Sequence, residues 1–66
     1  MRFEDMDVEA RSAAARAASR FLIDYDYVSM EEACIERDLT MQQLWDLIQA
    51  EAGLPASDVP DFVMLA

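Results

Sequence analysis

Fourteen carboxylates stand against five arginines in these 66 residues, with no lysine and no histidine, and that inventory decides which chemistry is open. Cys34 is the lone thiol, so an intramolecular disulfide is excluded, and one Cys without His leaves no ligand set for zinc. No hydroxyl or thiol has a plausible base beside it. The carboxylates fall at no spacing diagnostic of acid–base catalysis. Glu31, Glu32 and Glu36 lack the alternating oxygen ligands and central Gly of a calcium loop. The sequence therefore reads as a non-enzyme without cofactor or metal, and the chemistry left to it is charge recognition. The net charge is -9. Residues 1–20 carry four acids and four arginines, whereas residues 21–66 carry ten acids against Arg37 alone. Such a field repels nucleic acid and anionic membranes and draws in basic surfaces.

The elements that must position these charges are helical. Asp5 or Asp7 caps a first helix over 7–24, after a short, partly loose lead-in over 1–6. That helix is rich in Ala, the best helix former. Ala10, Ala14, Ala17, Ala18, Phe21 and Tyr25 share one broad face of it. Most of that face is expected to pack on the other helices, with part of it (Ala14, Ala18, Phe21) forming a dimer seam. Arg16 and Arg20 lie one turn apart on a solvated side, and Arg11 points elsewhere. The stretch from Asp24 to Val28 reads as a connection. Ser29 with Glu32 matches a capping box that opens a second helix over 29–37, and Thr40 with Gln43 matches another that opens a third over 40–52. Gly53 followed by Leu54 and Pro55 ends it. In the tail, 55–66, Ser57 or Asp58 is expected to cap a short fourth helix with Pro60 in its first turn. The apolar run from Phe62 to Leu65 must be covered by the core, a second subunit or a partner.

The whole is an all-α fold, a three-helix bundle in a single domain over 1–66. Hydrophobic residues make up 55% of it, too many for disorder. No apolar run approaches the ~20 residues that span a bilayer, and no basic-then-apolar leader is present. The lone thiol fits a reducing compartment, so a cytoplasmic location is expected. A chain of this size buries only about 60% of its unfolded surface and commonly needs a supplement. With disulfide and metal excluded, a homodimer is the expectation, with Phe62 and Met64 of the tail added to its interface.

The window from Met30 to Gln49 resembles a helix-turn-helix. Cys34, beside Ala33, supplies the small residue where the helices cross. Leu39 follows the turn, and Leu44 and Leu47 line the inner face of the recognition helix. Asp38 takes the turn position that usually holds Gly, and Asp tolerates the left-handed conformation better than most residues. Arg37 takes a position that is usually apolar, its stem laid along the core with the head at the edge. The outer positions Gln42, Gln43, Asp46 and Gln49 include glutamines able to read adenine. Yet the window holds five acids and one Arg. At an effective dielectric of 20, each carboxylate within about 6 Å of a phosphate costs up to ~3 kcal/mol before screening. Direct DNA contact is thereby disfavoured, and a protein partner is expected instead. Ile35 falls opposite the apolar face of the second helix and points outward. Trp45 lies at the margin of its own apolar arc, where it serves either the core or an interface. Together with Glu31, Glu32, Asp38, Gln42 and Asp46 these form the candidate partner-binding set.

In size, acidity and this window the chain resembles compact phage-encoded inhibitors and anti-activators that reuse a helix-turn-helix fold to bind host proteins, including those that block a quorum-sensing activator. The resemblance implies a homodimer in the bacterial cytoplasm that occupies the basic, DNA-binding surface of a host transcription regulator. The alternatives are a DNA-binding regulator, whose Arg11, Arg16 and Arg20 would touch phosphates, and a toxin-neutralising component.

Overall fold

Asp7 opens the first long helix, its Oδ1 accepting the Ala10 N–H at 2.8 Å. The computed structural model describes residues 1–64, Met64 by its backbone only. Its elements are a 3-10 turn at Phe3–Asp5, then α1 (Val8–Asp24), α2 (Met30–Arg37), α3 (Met41–Glu51) and a short α4 (Asp61–Met64). The described residues are all-helical, without a strand, and no helix among them is long and apolar enough to cross a membrane.

Ser29 caps α2 by accepting the Glu32 N–H at 3.2 Å. Thr40 caps α3 with both halves of a capping box, since the Thr40 hydroxyl accepts from Gln43 N–H and the Gln43 amide accepts from Thr40 N–H. The three long helices end alike. Tyr27 N–H returns to the Leu22 carbonyl at 2.9 Å, Leu39 N–H to Cys34 at 3.0 Å, and Leu54 N–H to Gln49 at 2.9 Å. Such a six-to-one bond closes only around a left-handed residue. Asp26 (φ 59), Asp38 (φ 57) and Gly53 (φ 70) supply it. Two of the three are aspartates, which place a carboxylate at the negative end of a helix dipole in a conformation that Gly adopts more cheaply.

Helix α3 packs against both α1 and α2. Its Leu44, Trp45 and Ile48 meet Ala14, Ala18 and Phe21 of α1 and Met30 and Ala33 of α2 in one core, with Leu39 and Leu47 packed at the edge. Ala14, Ala18 and Phe21, expected at a dimer seam, are thus consumed inside the chain, because α3 takes up the alanine face of α1.

The lead-in and tail depart most from expectation. The lead-in is tied down rather than loose: Met6 is buried, Phe3 N–H donates to Asp58 Oδ1 at 2.6 Å, and Asp58 N–H donates to the Met1 carbonyl at 3.1 Å. Asp58 is therefore spent on the N-terminus and caps no helix. Ser57 is buried, and α4 starts only after Pro60. Val63 and Pro60 are buried, so the described part of the tail covers the chain's own core. Phe62 is half exposed, its ring edge-on to Phe3 at 5.8 Å. The side chain of Met64, assigned to the dimer interface, lies outside the described residues, as does Leu65 of the apolar run.

Candidate functional site

Helix α2 presents its charges because its other side is used up. Met30 and Ala33 are buried, and Cys34 and Arg37 are half-buried on the same side. A rotation of about 100° per residue then leaves Glu31, Ile35 and Glu36 pointing away, with Glu32 beside them. Ile35 is 74% exposed, between Glu31 one turn before it and Asp38 three residues after. Caps at both ends fix the ridge, through Ser29 and through the left-handed Asp38. The result is a single large apolar side chain held rigidly among carboxylates.

Helix α3 does the opposite with the residues expected to face a partner. Trp45 has no exposed surface and is a core residue, so it is not available as an outward anchor. Its Nε1 donates to Ser57 Oγ at 3.1 Å, and Phe3 packs edge-on to its ring at 6.0 Å. Gln49, expected on the outer face, is also fully buried. Its amide donates to the Pro55 carbonyl at 2.9 Å and to Ser57 Oγ at 3.1 Å, and its Oε1 accepts Ser57 N–H at 3.1 Å. Gln42 remains exposed but is engaged, donating to the Ser57 carbonyl at 3.0 Å and to Asp46 Oδ1 at 2.9 Å. Of the seven residues assigned to a partner, Glu31, Glu32, Ile35 and Asp38 lie along α2 and its turn. Gln42 and Asp46 border the tail, and Trp45 drops out.

The sequence reading missed an aromatic clasp between α1 and α2. The Arg37 guanidinium lies 4.5 Å from the Tyr25 ring centre, 5.0 Å from Phe21 and 5.7 Å from Tyr27. Its Nε donates to the Tyr27 hydroxyl at 3.0 Å. Stacking over ring faces is a favourable use of a planar cation. It also retires the one base of α2 and α3 from outward duty. Phe21 in the last turn of α1 and Tyr25 at its C-cap stand four apart, and Tyr27 follows the left-handed Asp26, a spacing from which an aromatic cluster could have been read. The Cys34 thiol, 4.0 Å from Met41 Sδ, is raised above its ordinary pKa by burial and secondarily by the Glu31 carboxylate. That keeps it protonated and unreactive near neutrality.

Comparison with known proteins gives no matching family profile, no similar curated protein and no similar solved structure.

Proposed function

We propose that this chain is a protein-binding inhibitor that sets the acidic ridge of α2 against a basic surface of its target. The observation that carries this reading is Ile35, 74% exposed on a capped helix and flanked by Glu31, Glu32, Glu36 and Asp38. Carboxylates around such a residue steer a cationic partner in, and the apolar centre holds it once water is expelled. Burying an isoleucine side chain contributes about 1.5–3 kcal/mol, or roughly 10- to 100-fold in affinity. The α2–turn–α3 unit acts here as a helix-turn-helix turned away from DNA. Its one Arg is stacked on tyrosines, and two of its glutamines, Gln42 and Gln49, are bonded to the tail. The resemblance to phage anti-activators makes the DNA-binding domain of a transcription activator, in the cytoplasm of a bacterial host, the partner class to test first.

The test is calorimetric titration of this chain into such a domain, beside a gel shift with duplex DNA at low salt. The reading expects binding that weakens at least 10-fold in Ile35→Asp. It expects a shallower salt dependence in Glu31→Gln/Glu32→Gln, and no DNA shift by the chain alone. Salt-sensitive retardation of the oligonucleotide by the purified chain overturns it.

A further inference from the structure

A depression of about 660 Å³ opens where α1 passes the end of α3, floored by Ala13, Ala17, Ala52 and Leu54 and edged by Arg16 and Arg20. Most of its lining comes from the part of the chain whose charges balance, residues 1–20, and the rest from Ile23 and the residues just past α3. Arg20 shares its Nε with Asp24 at 3.1 Å, and Arg16 has no ion-pair partner among the described residues. An apolar floor with Arg16 and the Asp24-paired Arg20 along its α1 edge fits a protruding apolar side chain that has carboxylates beside it. The α2 ridge has that form, with Ile35 between Glu31, Glu32 and Glu36. No residue of α2 lines the depression, so the ridge and the depression of one chain stay apart.

We propose that the Ile35 ridge of one copy seats in the Arg16–Arg20 depression of a second copy. The contact is heterologous, since it joins two different surfaces. Each added copy leaves one ridge and one depression free, and the assembly grows head to tail instead of closing as a two-fold dimer. Two chains of charge -9 repel as wholes, and meeting through the balanced end of one of them limits that repulsion. The depression is shallow, so association is weak and concentration-dependent.

Sedimentation velocity over a concentration series tests the proposal. The weight-average mass of the natural chain is expected to climb from the 7.5 kDa of one copy past that of two. Ile35→Asp alone and Arg16→Glu/Arg20→Glu alone are each expected to stay at one copy, with helical circular dichroism unchanged. Mixed in equal amounts, the first variant supplies the intact depression and the second the intact ridge. That mixture is expected to form pairs and stop there. A natural chain that stays single up to its solubility limit overturns the proposal, as do variants that still assemble or a mixture that gives no pairs. Because Arg16→Glu/Arg20→Glu leaves α2 untouched, its binding to an activator domain reports on the proposed function separately from self-association.

Discussion

Helices α2 and α3 carry the same kind of pattern, an apolar stripe with a polar back, yet their backs meet different fates. On α2 the back is solvent, and Ile35 stays exposed at 74%. On α3 one flank of the back is roofed by the tail, and Trp45 and Gln49 are fully buried. The difference lies in what else reaches each helix. Residues 55–63 return across α3 and bring a hydroxyl, backbone groups and Val63 to it, whereas no described segment covers the outward side of α2, where Glu31, Ile35 and Glu36 are exposed. A helix wheel assigns a residue to a side of its helix, and the rest of the chain decides whether that side is outside.

The largest effect that could break this contrast is at Trp45. Trp45→Ala is expected to cost about 3–5 kcal/mol through the cavity it leaves and the loss of its hydrogen bond to Ser57. That is enough to leave so small a domain largely unfolded at 25 °C, as circular dichroism would show. An unchanged melting temperature would mean that the tail does not roof α3. Gln49→Leu keeps most of the volume but leaves the Ser57 N–H and the Pro55 carbonyl without their partner. A loss of about 1–3 kcal/mol in urea unfolding is expected, although a polar residue has been made apolar on what a wheel calls the surface.

Asp38→Gly is expected to act in the other direction. It relieves a left-handed L-residue and removes a carboxylate from the end of α2, gaining about 0.5–1 kcal/mol. In a domain of this size that raises the melting temperature by about 2–8 °C. Asp26→Gly should match it in sign. Ile35→Ser, on the open side of the comparison, is expected to change stability by less than about 0.5 kcal/mol. Any partner contact through α2 would nevertheless be lost.

The smallest effect concerns pH. Burial raises the Cys34 thiol in the folded chain, with Glu31 adding to it. Its contribution is therefore whole below the thiol's ordinary unfolded value and is lost as pH rises from there through the raised folded value. Urea midpoints at pH 7.5 and 9.5 should fall apart less in Cys34→Ala than in the natural chain.

Much of the fold was legible along the chain because local chemistry wrote it. Asp7, Ser29 and Thr40 cap helices, Asp38 and Gly53 end them, and Leu39, Leu44 and Leu47 point inward, all from interactions spanning a few residues. Of the candidate site, the α2 half was equally legible. Ile35 stands opposite Met30 and Ala33 on a 3.6-residue helix, and nothing distant intervenes. The dimer seam at Ala14, Ala18 and Phe21 was misplaced for a simple reason. Small residues admit any close neighbour, and only the packing shows that the neighbour is α3 of the same chain.

The amino-acid sequence by itself determined three helices, their ends, the acidic balance and the outward Ile35, since each depends on charge count or on contacts within about one helical turn. Tertiary structure alone decided that Asp58 ties the two ends of the chain together across 55 residues. It decided that Ser57 joins Trp45 and Gln49, and that Arg37 enters an aromatic clasp. These contacts link groups far apart along the chain, whose pairing becomes favourable only once the core has brought them within hydrogen-bond or stacking distance.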